Sequence, residues 1–216
     1  MASQPLRATG QGTRLRAGPP PGEAPLTVVL VHGRGGTAAG MLDLAAAIGH
    51  HYSYVAPEAP GYTWYPLSFL APIEKNEPYL SAALRTLQDV VTDLERDGVG
   101  ADRVAILGFS QGACLSLEFA ARHARRYAGV FGLSGGLIGP PGTPRDYRGS
   151  FERTPVFLGC SDVDPHIPLE RVHESAEVCR RLGAEVDERI YAGMGHTIGL
   201  DELDAVRAIL RAHPGA

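Results

Sequence analysis

Short apolar runs alternate with amphipathic segments along most of the chain. The runs LTVVLV (26–31), RVAILGF (103–109) and TPVFLGC (154–160) are dense in aliphatic residues, as expected for strands that are buried on both faces. The segment 79–98 instead repeats its leucines and valines every three or four residues and ends at a glycine, which predicts a long amphipathic helix. The hydrophobic pattern therefore switches between the periods of strands and helices.

Over the whole chain the pattern predicts six strands, at 26–31, 52–57, 103–109, 127–135, 154–160 and 184–193, and five helices, at 37–49, 79–98, 111–124, 169–183 and 200–213. This alternation indicates a single α/β domain at 25–216, with a mostly parallel central sheet that is covered by helices on both faces. Residues 1–24 are predicted to form a partly flexible N-terminal arm with one edge strand.

Charge and hydropathy narrow the class of protein. The formal net charge is −4, and Lys and Arg are spread along the chain. This argues against a nucleic-acid partner, because proteins that bind nucleic acids cluster their Lys and Arg residues in a basic stripe. No apolar run approaches the roughly 20 residues that span a bilayer, and the N-terminal segment lacks the hydrophobic core of a signal peptide. We therefore expect a cytoplasmic protein with no membrane span, and homodimerisation stays open.

A serine stands where a predicted strand gives way to a predicted helix. The sequence GFSQG places Ser110 between Gly108 and Gly112, and two glycines at this spacing allow a sharp turn that exposes the hydroxyl. Ser110 is therefore the predicted nucleophile. Gln111, at the start of the helix, is predicted to offer its backbone N–H to a developing oxyanion.

The partners that a serine nucleophile needs occur after later strands. His196, in the glycine-rich turn GMGH, is the predicted base, because an imidazole can take and return a proton near neutral pH. Asp162 and Asp164 both follow the strand at 154–160, and either carboxylate could orient the imidazole. The order serine, aspartate, histidine is that of α/β-hydrolase triads.

The alternation of Asp162, Asp164 and His166 also admits a metal site. The neighbouring chemistry needs no metal, and the chain has no His-Glu-x-x-His spacing. We therefore predict neither a metal nor a cofactor.

The segment 58–78 is rich in proline and aromatic residues and has no clear period. Long loops of this kind in compact domains are often lids over functional sites. An apolar wall beside the serine is therefore predicted, formed by Tyr62, Trp64, Tyr65 and Phe69. Packing of these rings onto the domain is the alternative.

Four motifs in order, LVHGRGG, LGFSQGA, SDVDPHIP and GMGH, resemble those of the phospholipase/carboxylesterase family of small α/β-hydrolases, which includes acyl-protein thioesterases. The resemblance runs from about residue 26 to the C-terminus and implies the α/β-hydrolase fold and a serine hydrolase. It also implies that Asp164, before the proline of DPHIP, completes the triad with Ser110 and His196. The backbone N–H of Arg34 is then the second oxyanion donor.

Three departures from the thioesterase branch bear on the substrate. Gly36 stands where the thioesterase branch usually has Asp, and Pro66 replaces an Asp that those enzymes often carry. The lid loop also differs from theirs. These differences favour a carboxylesterase that acts on small-molecule esters of short to medium acyl chains, similar to bacterial carboxylesterases. An acyl-protein thioesterase or lysophospholipase is the alternative among enzymes, and a catalytically silent binding protein of the same fold is the alternative outside them.

Overall fold

The computed structural model describes residues 13–215. Its strands are β1 (Arg14–Ala17), β2 (Thr27–Val31), β3 (Ser53–Pro57), β4 (Val104–Phe109), β5 (Gly129–Leu133), β6 (Pro155–Ser161) and β7 (Glu185–Tyr191). Its helices are α1 (Ala38–Ile48), α2 (Tyr79–Arg96), α3 (Gln111–Arg122), α4 (Leu169–Arg181) and α5 (Leu200–Arg211). All predicted elements are present, and β1 supplies an edge strand.

The strands form one sheet in the order β1-β3-β2-β4-β5-β6-β7. The first pair, β1 with β3, is antiparallel, and every other neighbouring pair is parallel. Because parallel strands end at the same edge, the loops that follow β2, β4, β6 and β7 open on one side of the molecule. The predicted mostly parallel sheet is thus confirmed.

The sheet separates two apolar cores, and β2 shows how the sequence fills both. Val28 and Leu30 belong to the core under α1 and α5, whereas Val29 and Val31 belong to the core under α2, α3 and α4. Successive side chains of a strand point to opposite faces. A strand covered on both sides therefore needs an apolar residue at every position, which explains the uninterrupted run.

Part of the predicted N-terminal arm contacts the sheet. Arg14 pairs with Pro57 and Ala17 with Tyr54, and the guanidinium of Arg14 lies 2.6 Å from a carboxylate oxygen of Asp93 on α2. The rest of that arm, residues 1–12, lies outside the described residues. Between residues 13 and 215, no helix combines the length and apolarity that crossing a membrane requires.

Candidate active site

Ser110 occupies the sharp turn between β4 and α3. Its backbone has φ of 56° and ψ of −121°, which is a strained conformation for a residue with a side chain. Close packing on both sides fixes the turn. A Cβ on Gly108 would lie 2.2 Å from the carbonyl oxygen of Gly112, and a Cβ on Gly112 would lie 2.1 Å from that of Val31. Only glycine fits at these two positions.

The structure brings Ser110, His196 and Asp164 into one hydrogen-bonded chain. Nε2 of His196 lies 2.8 Å from Oγ of Ser110, and Nδ1 lies 2.7 Å from Oδ2 of Asp164. Because an ionised carboxylate can only accept, Nδ1 carries the proton and Nε2 accepts from the serine hydroxyl. This is the tautomer that a general base requires.

Asp164 is shielded from solvent, with 0% of its side chain exposed. Burial alone would raise its pKa, but hydrogen bonds from the ring of His196 and from the backbone N–H groups of His166 and Ile167 hold the pKa below its usual value. The carboxylate is therefore ionised at neutral pH.

The neighbouring Asp162 makes a different contact. Its Oδ1 accepts a hydrogen bond of 2.8 Å from the backbone N–H of Gly193, in the loop that leads to His196. The Oγ of Ser161 accepts a second bond, of 3.0 Å, from the N–H of Gly195. Asp162 thus braces the loop that carries the histidine.

The predicted oxyanion donors, the backbone N–H groups of Gln111 and Arg34, belong to segments that lie next to Ser110. Gln111 is the first residue of α3, and N–H groups in the first turn of a helix have no partner within it. Arg34 follows Gly33, on which a Cβ would lie 3.2 Å from the Cβ of Ser110. The loop after β2 is therefore adjacent to the serine.

The side chains of the same two residues hold the loop beyond β3 in place. Arg34 donates to the carbonyl oxygens of residues 65–67, over 3.0, 3.0 and 2.7 Å in chain order. Gln111 donates from Nε2 to the carbonyl of Tyr65 at 2.8 Å and accepts at Oε1 from the N–H of Trp64 at 3.0 Å. No local signal in the sequence predicts these bonds, because they join loops that are distant along the chain.

A cavity of about 600 Å³ opens over Ser110. Of the four predicted wall residues, Tyr65 and Phe69 line it, whereas Tyr62 and Trp64 lie outside its lining. Tyr62 is 49% exposed and Trp64 is 3% exposed. The apolar wall therefore stays a prediction for Tyr65 and Phe69, and the placement of Tyr62 and Trp64 in it is corrected.

Trp64 packs behind the cavity. Its indole N–H donates to the carbonyl oxygen of His32 at 2.8 Å, and the two rings lie 4.9 Å apart. Nε2 of His32 accepts from the N–H of Ala59 at 3.0 Å, so Nδ1 carries the proton that bonds to the carbonyl of Gly33 at 2.7 Å. Burial lowers the pKa of His32. The neutral ring of His32 and the indole of Trp64 together connect the loops that follow β2 and β3.

A buried arginine supports the cavity wall from outside, and the sequence predictions miss it. Arg171 on α4 is 4% exposed and donates to the carbonyl oxygens of Leu137 and Gly139 at 2.6 Å each. The N–H of Gly139 donates in turn to the carbonyl of Phe69 at 2.7 Å. The guanidinium also lies 6.0 Å from the centre of the Phe69 ring. Arg171 thus fixes a residue of the cavity through one intervening residue, Gly139.

Other charged side chains extend this buried network. Glu118 on α3 accepts from the N–H of Ile138 at 3.1 Å and from the hydroxyl of Tyr147 at 3.0 Å. Arg145 donates to the carbonyl of Ile138 at 2.6 Å and to Glu174 at 2.8 Å. The sequence signal for this network is weak, because each residue on its own is an ordinary charged position of a helix or loop.

The geometry separates the residues of the alternative metal site. Asp164 contacts His196, Asp162 contacts Gly193, and His166 directs its backbone N–H to Asp164. Within residues 13–215, no three side chains of the metal-ligating types converge in a way that could hold an ion.

Comparisons with known proteins point to one family. A family model described as Phospholipase/Carboxylesterase matches residues 19–214. Among solved structures, the phospholipase/carboxylesterase from Dyadobacter fermentans superimposes with a TM-score of 0.89 at 39% identity, over 95% of this chain and 99% of that chain. The similarity therefore covers nearly the whole fold.

Curated relatives bear the name acyl-protein thioesterase 1. The protein from Yarrowia lipolytica is 25% identical over 200 residues, which cover 83% of this chain and 88% of that protein. The protein from Gibberella zeae is 35% identical over 119 residues, which cover 53% of this chain and 49% of that protein. The chain thus matches about half the length of this second relative and most of the first.

Proposed function

Because the chain belongs to the phospholipase/carboxylesterase family of α/β-hydrolases, we propose that this hydrolase cleaves carboxylic esters of short to medium acyl chains. The observation that carries the proposal is the hydrogen-bonded chain from Ser110 through His196 to Asp164. These three hydrogen-bonded residues end, at Ser110, in a cavity large enough for a small ester.

In the first half of the reaction, Oγ of Ser110 attacks the ester carbonyl carbon while Nε2 of His196 takes the hydroxyl proton. The carbonyl oxygen becomes an oxyanion, which the backbone N–H groups of Arg34 and Gln111 stabilise. Nε2 then gives its proton to the alcohol oxygen as the carbon–oxygen bond breaks. Asp164 holds Nδ1 throughout and stabilises the imidazolium.

In the second half, water replaces the alcohol. Nε2 of His196 removes a proton from the water as its oxygen attacks the acyl carbon, and the same two N–H groups stabilise the second oxyanion. The proton then returns to Oγ of Ser110 as the acyl–oxygen bond breaks. The products are a carboxylic acid, an alcohol and the original enzyme, so the cycle uses only groups of this chain and water.

The rings of Tyr65 and Phe69 are the observation that favours substrates with short to medium acyl chains. Both line the cavity and are fixed by packing, since they are 1% and 7% exposed. Each buried methylene contributes about 0.8 kcal/mol until the available space is full. Bulky, fixed rings near the serine fill that space early. We accordingly propose small-molecule esters in the cytoplasm as the substrates.

Thioesterase activity is the second candidate, because the curated relatives are named acyl-protein thioesterase 1. A thioester would form the same acyl-Ser110 intermediate. The same three side chains can therefore act on esters and on thioesters. The departures at Gly36 and Pro66 favour oxygen esters of small alcohols.

A fluorophosphonate probe followed by intact-mass measurement tests the nucleophile. We expect one adduct on the native protein and none on Ser110→Ala, which should also lose about 10⁴- to 10⁶-fold in kcat. Absence of the adduct on native protein would favour the silent binding protein.

A second experiment tests the substrate. It compares the kcat/KM values for p-nitrophenyl esters from acetate to palmitate with the kcat/KM values for thioesters of the same acids. A maximum at palmitate or a preference for thioesters would favour the second candidate.

A further inference from the structure

A second imidazole stands beside that of His196. The rings of His166 and His196 lie 4.8 Å apart, centre to centre, and meet edge to face at 76°. Both residues line the cavity over Ser110, and His166 is exposed to solvent. Nothing in the mechanism described above uses this second ring.

The turn that carries His166 is fixed by the active site itself. Oδ1 of Asp164 accepts hydrogen bonds from the backbone N–H groups of His166 and Ile167, at 2.8 and 3.1 Å, while its Oδ2 holds His196. One carboxylate therefore sets the position of both imidazoles. Within the described part of the chain the ring nitrogens of His166 have no hydrogen-bond partner, so the ring can bind a ligand.

The chemistry of the reaction decides which part of a substrate meets His166. Nε2 of His196 must reach the alcohol oxygen to protonate it as it leaves, so the alcohol lies next to this imidazole. Two cavity residues pack against the same ring, His166 edge to face at 4.8 Å and Phe109 at 5.1 Å. Of these two, only His166 has hydrogen-bonding atoms in its side chain. The acyl chain, by contrast, extends from the carbonyl carbon, for which Tyr65 and Phe69 on another loop form an apolar wall.

The polarity of the cavity indicates the kind of alcohol. Besides Ser110 and His196, its lining includes the polar residues Arg34, Ser68, Gln111 and His166, and among the residues described no aspartate or glutamate lines it. A neutral imidazole offers one donor and one acceptor, which matches the two functions of a hydroxyl group. An alcohol without a further hydroxyl group could use neither.

We propose that His166 is a specificity-determining residue that binds the alcohol part of the ester and selects alcohols with hydroxyl groups near the ester bond, of which glycerol is the simplest model. The proposal rests on the ester hydrolysis proposed above.

The test compares glycerol 1-butyrate with propyl butyrate, which share the acyl group and a three-carbon alcohol and differ in two hydroxyls. Both esters form the same butyryl-Ser110, so its hydrolysis does not affect the ratio of their kcat/KM values. We expect the native enzyme to prefer the glycerol ester. His166→Leu should lower that ratio about three- to tenfold, as expected for one lost hydrogen bond, and His166→Asn should retain part of it.

Val163→Ala is the matched control, because Val163 lies on the same turn, is 61% exposed and does not line the cavity. This variant should keep the native ratio. The proposal is overturned if the native enzyme shows no preference for the glycerol ester, if His166→Leu lowers both kcat/KM values equally, or if Val163→Ala changes the ratio as much as His166→Leu. A protein that neither takes the fluorophosphonate probe nor cleaves propyl butyrate would contradict the proposed function itself.

Discussion

Asp162 and Asp164 lie two residues apart on one turn, yet their carboxylates hold different parts of the same loop. Asp164 contacts the ring of His196 at 2.7 Å, and Asp162 contacts the backbone N–H of Gly193 at 2.8 Å. The first contact sets the tautomer of the imidazole that we propose as the general base, whereas the second fixes only main chain. Mutation can therefore separate the two roles.

Asp164→Asn should lower kcat by about 10⁴, because an amide at this position favours the wrong imidazole tautomer. Asp162→Asn should lower kcat less than about tenfold, since the amide oxygen can still accept from Gly193. Steady-state kinetics on one p-nitrophenyl ester measure both effects, and Tm reports any damage to the fold. The reverse ranking would transfer the triad role to Asp162.

Acyl-chain selection should depend on Phe69 and not on Trp64. Phe69→Ala enlarges the cavity and should move the maximum of kcat/KM toward longer acyl chains, with little effect on an acetyl ester, since each added buried methylene contributes about 0.8 kcal/mol. Trp64→Phe should leave the chain-length profile unchanged and lower Tm, because the bond from the indole N–H to His32 is lost. A shifted profile in Trp64→Phe alone would contradict this assignment.

The side chain of Arg34 should matter for the cavity wall even though its proposed catalytic group is the backbone N–H. Arg34→Ala keeps that N–H and removes the bonds to the carbonyls of residues 65–67. We expect kcat/KM to fall about tenfold, the equivalent of one charged hydrogen bond, with a broader chain-length profile. Kinetics on the ester series, with Arg34→Lys as the partial replacement, check this. A native profile in Arg34→Ala would show that the wall is held without the guanidinium.

Glu202, in the first turn of α5, links stability to pH. It is 0% exposed, and its Oε2 accepts from the N–H of Gly199 at 2.7 Å, while Oε1 has no partner within residues 13–215. Burial raises the pKa of Glu202 to about 7 from 4.5. Between these two values the folded protein holds a proton that the unfolded chain has released. The free energy of unfolding therefore falls as pH rises through this window, and the loss is complete above it.

Glu202→Gln should remove this pH dependence while keeping an acceptor for Gly199. The free energy of unfolding of the variant minus that of the native protein should be larger at about pH 8 than at about pH 5, by at most about 3 kcal/mol. Urea unfolding of both proteins at the two pH values measures the difference. An equal difference at both values would mean that Glu202 titrates alike in the folded and unfolded chain.

The parts of the molecule that the sequence predicts well are those with local signals. The strand at β2 needs an apolar residue at every position, and the turn at Ser110 needs glycine on both sides. Both features can therefore be recognised from a few consecutive residues of the sequence. The positions of Asp164 and His196 at the ends of neighbouring parallel strands follow from the alternation alone. The choice between Asp162 and Asp164, however, depended on resemblance to a family.

The parts that the sequence predicts poorly depend on contacts between distant segments. Tyr62, Trp64, Tyr65 and Phe69 look alike in an aperiodic loop, and which rings reach the cavity is decided by bonds to His32, Arg34 and Gln111. The buried position of Arg171 likewise depends on the carbonyl groups of a loop more than thirty residues away. Composition and periodicity contain no information on such pairings.

The tie from Arg171 through Gly139 to Phe69 has a consequence for how substrate preference can change. A library of variants confined to the cavity lining would never sample α4, although that helix positions a residue of the lining. Truncating Arg171 would leave the carbonyl oxygens of Leu137 and Gly139 without this donor. Each buried acceptor that loses its partner costs about 1–3 kcal/mol, a sizeable part of the roughly 5–15 kcal/mol that keeps a domain folded. Acyl-chain preference is therefore evolvable through α4 only in a background with stability in reserve.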